Sequence, residues 1–138
     1  MRTIQHSTTT QPYFQLIPFT ASNIIYAQWA IPMQIPDAEW RESVLLFLQA
    51  IRSQQPQSLL IDLRNSNFVI RPSLQTWLAE QIGLVCRELG ISQVAVLKSH
   101  HFVAQVSLEQ TLRAQTSRST KVKMFDEAAI AHQWLSQA

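Results

Sequence analysis

Two glycines and one cysteine in 138 residues set the first limits on this chain. Gly83 and Gly90 cannot build a P-loop or a Rossmann cradle, which need glycine wherever backbone must approach phosphate. No Gly-x-Ser-x-Gly elbow surrounds Ser73, Ser99 or Ser107, so the case for a hydrolase or any other enzyme is weak. A lone Cys86 excludes an internal disulfide and a multi-cysteine metal site. Inside a helical pattern it reads as a buried structural thiol. Charge is scarce too: charged residues make up 14%, the net charge is +2, and arginine outnumbers lysine eight to three. That is too little charge, too evenly spread, for nucleic acid to be the main partner. No apolar run approaches the ~18–20 residues of a membrane span. The polar start MRTIQHSTTTQ lacks the apolar segment of a signal peptide. No transmembrane segment and a cytoplasmic location are therefore expected.

What the chain does have is apolar patterning, with 46% hydrophobic residues. The organising stretch is SLLIDLRNSNFVIRPSLQTWL, Ser58 to Leu78. Its branched run without polar alternation suits a strand buried on both faces, and Pro72 suits the first position of the next helix. The loop between them belongs at the carboxyl end of a central strand, where open α/β sheets present functional groups. Upstream, residues 1–11 lack periodicity and read as a loose arm, with residues 12–138 forming one domain. Tyr13–Phe19 and Ile24–Ile31 read as an antiparallel hairpin turning at Thr20–Asn23. Pro18 cannot donate to a ladder, which assigns the first strand to the sheet edge.

Asp37 looks like the N-cap of a helix carrying Trp40, Val44, Phe47, Leu48 and Ile51 on one stripe. A second helix, Pro72 to Leu89, presents Leu74, Trp77, Leu78, Ile82, Val85 and Leu89, and Gly90 sits where a left-handed cap is wanted. Gln93–Leu97 is another buried strand. Phe102-Val103-Ala104-Gln105-Val106 is compatible with an already helical stretch, and Ser107-Leu108-Glu109-Gln110 has the form of a capping box, which places an established helix by Leu108. Thr120–Phe125 alternates lysine with Val122 and Met124, the pattern of an edge strand with one wet face. Asp126 then caps a last helix whose Ile130, Trp134 and Leu135 pack inward. The order is β-β-α-β-α-β-α-β-α, an α/β fold with a five-stranded, mostly parallel sheet and an antiparallel edge strand. Successive right-handed crossovers lay the later strands side by side in chain order.

Three stretches carry a family resemblance. LLIDLRNSNF-VIRPSLQTWL resembles the core strand, loop and following helix of STAS domains. GISQVAVL is similar to their Gly-ended helix and apolar strand, and KVKMFDEAAIAHQWL to the carboxyl-terminal pattern of the SpoIIAA-like branch. The resemblance covers about the last two-thirds of the chain and implies a STAS-like fold and a regulatory, protein-interacting role. The family's phosphorylatable Asp-Ser-Ser-Gly motif is absent. The matching positions read Ile70-Arg71-Pro72-Ser73, which replaces the acid and moves the serine one or two places into the helix.

Candidate site residues follow from that placement. Asp62, Arg64, Asn65, Asn67, Arg71, Ser73, Lys98, His100 and His101 all belong near one end of the sheet, with Ser99 and Asp126. Cations around helix N-termini suit an anion such as a phosphate, carboxylate or lipid headgroup. The plainer reading is a solvated loop end in which Arg64 pairs with Asp62 or Asp126. Asp62, after an apolar run, reads as a buried structural carboxylate. His100 and His101, adjacent and without further ligands at metal spacing, do not suggest a metal site; His6 and His132 read as surface residues. Trp40, Trp77 and Trp134 read as core, while Tyr26 and Trp29 in the hairpin are candidates for a partner surface.

The expected function is a non-catalytic regulatory or protein-interaction module without cofactors, with room for a homodimer. A small anionic ligand or lipid held by the basic loop is the second reading. A pocket lined by apolar helix faces favours a ligand; a filled core with an exposed patch favours a protein partner.

Overall fold

Leu59, Leu60 and Ile61 alternate between two faces of one strand, so the chain must cover that strand twice. In the computed structural model, which describes residues 8–19, 23–115 and 117–137, it does so with ten elements. They are β1 (Thr9–Thr10), β2 (Phe14–Phe19), β3 (Ile24–Trp29), α1 (Asp37–Gln54), β4 (Ser58–Asp62), α2 (Pro72–Leu89), β5 (Gln93–Leu97), α3 (Phe102–Ala114), β6 (Lys121–Phe125) and α4 (Ala128–Leu135). The sheet order is β1-β2-β3-β4-β5-β6. β1 and β3 run antiparallel to β2, and β3 through β6 are mutually parallel.

The three crossover helices lie on one face. Ile25, Ala27 and Trp29 of β3, Leu59 of β4 and Val94 and Val96 of β5 meet Trp40, Val44, Phe47, Leu48 and Ile51 of α1, Leu74, Leu78 and Val85 of α2 and Leu108 of α3. Among the described residues, α4 is the element that covers the opposite face. Ile24, Leu60, Ala95, Leu97 and Phe125 pack there against Ala131 and Leu135. Ala95 and Ala131 are both fully buried, and their small size brings the short helix close onto the sheet.

Several expectations need correction. The sheet has six strands rather than five, because Thr9 and Thr10 pair with Leu16 and Gln15. A two-residue strand is too short to show periodicity, which is why it read as part of an arm; residues 1–7 and His6 lie outside the described residues. β2 is consequently not the outermost strand. Pro18 is still tolerated, since β1 reaches only Gln15 and Leu16 and Pro18 pairs with Ile25 on the other side. Of the turn at Thr20–Asn23 only Asn23 is described, at φ 53°. Asn, whose short side chain bonds locally, is among the residues that accept that region.

The caps differ as well. Asp37 opens α1 rather than capping it, and its carboxylate pairs with Arg71 instead of backbone amides. α3 begins at Phe102, capped by His101, so Ser107 lies inside the helix. Its hydroxyl accepts from the Ile70 N–H at 3.0 Å and donates to the Ala104 carbonyl at 2.8 Å. Glu127, not Asp126, precedes α4, and neither side chain caps it. Ile130 points outward, while Ala131 takes the inward place. Trp29 is buried against Phe14 and Phe47, with ring centroids 4.7 and 5.2 Å away, and offers no partner surface.

Two helices end in the left-handed region: α2 at Gly90 (φ 63°) and α1 at Gln55 (φ 50°). A Cβ at Gly90 would meet no atom within 4 Å, so only backbone strain opposes it. Gly90→Ala is expected to cost about 1–2 kcal/mol in urea unfolding. Gln55→Gly should stabilise by about 0.5–1 kcal/mol, less than the full strain because glycine is freer in the unfolded chain.

Candidate functional site

Parallel strands end together, so the loops after β3, β4, β5 and β6 gather at one rim. There Tyr26, Gln28 and Asp62 project from the α4 side of the sheet, because Tyr26 is registered with Leu60 and Gln28 with Asp62. A hydrogen-bonded chain results. The Gln28 amide donates to the Tyr26 hydroxyl at 3.2 Å, and that hydroxyl donates to Asp62 Oδ2 at 2.7 Å. Arg64 closes the other side, with its Nε 3.0 Å from Oδ1, its Nη2 2.8 Å from Oδ2, and its backbone N–H donating to Oδ1 at 3.1 Å.

Asp62 is only 6% exposed, and burial alone would push its carboxyl up. The Arg64 guanidinium, the Tyr26 hydroxyl and the Arg64 backbone amide together outweigh that and hold it below the usual carboxylate range. The partner groups respond in kind. Burial and the bond to Asp62 push the Tyr26 phenol up, and the bond to Asp62 pushes Arg64 further up, so it stays charged. A carboxylate held this way, with both oxygens occupied, is a poor proton acceptor at neutral pH. Its chemistry is structural: it ties β3 to the loop after β4.

The loop itself is fixed from below. Ser99 Oγ donates to the Ser66 carbonyl at 2.6 Å, Ser66 Oγ accepts from the Ile31 N–H at 3.2 Å, and the Asn67 N–H donates to the Ile31 carbonyl at 2.8 Å. The His100 N–H reaches the Arg64 carbonyl at 3.4 Å. These contacts join the rims of β3, β4 and β5.

The remaining candidates share the rim, and Arg71, Lys98 and His101 are engaged with different partners. Arg71 pairs with Asp37, and Lys98 Nζ stands 3.8 Å from Asp126 Oδ1. With Arg64 on Asp62, each of the three cations has its own carboxylate. Asn65, Asn67 and His100 are exposed, and Ser73 is exposed in the first turn of α2. His101 accepts from the Ala104 N–H through Nδ1 at 3.2 Å and so caps α3. Among the described residues no three His, Cys, Asp or Glu side chains are grouped to hold a metal ion. None of their helices is long and apolar enough to cross a membrane.

Tyr26 and Gln28 were missed as partners of Asp62, because that link depends on strand register. The exposed apolar side chains at the rim were missed as well. Phe102 is 80% exposed, Val103 and Met33 are each 53% exposed, and Ile130 is 51% exposed. Met33 follows β3, Phe102 and Val103 open α3 after β5, and Ile130 lies in the first turn of α4 after β6. They make up four of the six exposed large hydrophobics among the described residues, so there the rim is where apolar surface is left over. No protein-family model, curated protein or solved structure matches the chain.

Asp62→Asn should cost about 1–3 kcal/mol at neutral pH, since it removes a charge-assisted bridge and leaves Arg64 without its partner. The folded-state pKa is depressed, so this contribution is complete above about pH 4 and is withdrawn as pH falls below it. Acid unfolding of the parent chain, followed by circular dichroism, should therefore show a loss of stability below about pH 4 that the Asn variant lacks. Equal slopes in the two proteins would contradict this account.

Proposed function

We propose that the protein is a non-catalytic regulatory or protein-interaction module of STAS-like type, working through the carboxyl rim of its sheet. The observation that carries this reading is the side chain of Phe102, four-fifths exposed beside Val103 on a helix start that His101 caps. Contiguous exposed apolar groups rimmed by polar ones are typical of partner surfaces. Here Lys98 and His100, just before the helix in the chain, supply polar neighbours. The loop beneath is held by backbone and serine hydrogen bonds, so a partner would meet a preformed surface and lose little affinity to ordering. An anionic ligand at the same rim would have to draw Arg64, Arg71 or Lys98 away from Asp62, Asp37 or Asp126, which makes it the weaker reading.

A photo-reactive amino acid in place of Phe102 should crosslink one discrete protein in cells of the native host. The same group in place of Leu45, exposed on the outer side of α1, should not. Val103→Asp should abolish the adduct without changing the thermal midpoint. Identical adducts from both positions, or none from position 102, would refute the assignment.

A further inference from the structure

A cavity of about 140 Å³ lies inside the layer between the sheet and α1, α2 and α3. Its origin is visible in the side-chain sizes. The large rings Trp29, Trp40, Phe47 and Phe68 gather toward α1, with Trp40 stacked on Phe68 at 5.2 Å. Over β4, β5 and β6 the sheet offers only medium-sized groups such as Ile61, Val94, Val96 and Val122, and the facing helices contribute Cys86 and Ala104. Among the described residues no charged side chain lines the space. Its two hydroxyls, Ser66 and Ser99, are spent on the Ile31 amide, the His101 amide and the Ser66 carbonyl. Burial pushes the Cys86 thiol up, which keeps it neutral.

We propose that this cavity is a binding site for a small, uncharged, apolar molecule about the size of a single six-membered ring. Size and polarity both point there. An engineered cavity of about 150 Å³ lined by Leu, Ile and Phe stays dry and binds benzene. A water molecule needs two to four polar partners, and both lining hydroxyls, Ser66 and Ser99, already hold a protein partner. A long acyl chain exceeds the volume, and a charged ligand would find no counter-charge. Phe68 also borders a surface groove with Met33, Ile35, Pro36, Val69 and Arg71, so it separates the cavity from the outside at its aromatic end. The site is distinct from the rim surface at Phe102, and either can fail without the other.

The test uses benzene and toluene as probes on the full chain. Methyl NMR should show saturable shifts at Val94, Val96 and Leu108, with a raised thermal midpoint. Cys86→Leu and Val96→Leu each add bulk to the lining and should weaken binding at least tenfold; two variants guard against one that misfolds. Leu84→Ala, on the exposed side of α2, should bind as the parent does. Phe68→Ala should speed ligand entry and exit in exchange measurements. Absence of saturable shifts with both probes would overturn the proposal, as would undiminished binding in both filled variants.

Discussion

The double burial of β4 and β5 is the constraint on which the rest of this molecule depends. Two parallel strands with apolar side chains on both faces must be covered twice, and connections of one hand place all three crossover helices on a single side. Among the described residues the other side is covered by α4, eight residues long, held close by Ala95 against Ala131. It reaches β4, β5 and β6, while Gln28, Tyr26 and Asp62 lie toward the β3 margin of the same face. A buried carboxylate is tolerated at that margin because Tyr26 and Arg64 can reach it from two directions.

The basic character of the rim largely cancels against neighbouring acids. Arg64 has Asp62, Arg71 has Asp37 and Lys98 has Asp126. The outer two pairs are exposed and contribute little to stability, since solvent screens them and two long side chains must be held still. The Asp62 pair differs because desolvation is offset by several hydrogen bonds to one carboxylate. With charge neutralised locally, the feature that distinguishes the rim is apolar: Phe102, Val103, Met33 and Ile130 standing in solvent.

The three-helix face has the opposite character, being apolar and underfilled. By the cavity relation of about 24 cal/mol per Å³, a void of this size costs on the order of 3 kcal/mol. That is a sizeable fraction of the roughly 5–15 kcal/mol that holds a domain folded. A ligand filling the space would recover part of it. On the readings proposed above, the exposed rim would meet a protein and the interior cavity an apolar molecule, at two separate places on one small fold.

Most of the architecture was legible in one dimension. Runs such as Leu59–Ile61 and Val94–Leu97, the stripe from Trp40 to Ile51, Pro72 and Gly90 report burial and helix ends through local periodicity and backbone preference, which act over a few residues. The neighbour order from β3 to β6 followed from crossover handedness. The two-residue β1 escaped, being too short for a period, and the capping motifs at Asp37, Ser107 and Asp126 misled because Asp37 found Arg71 and Ser107 found the Ile70 amide. Of the candidate site, the chain order predicted a shared rim but not what its members do there. Whether Arg71 and Lys98 face a common point or separate carboxylates, and whether Tyr26 lies over Asp62, depends on register and on side-chain directions between residues 28 to 36 positions apart. The cavity is further still from sequence. It is a difference between summed side-chain volumes and the space that three helices leave above a twisted sheet, a quantity that exists only after the chain has folded.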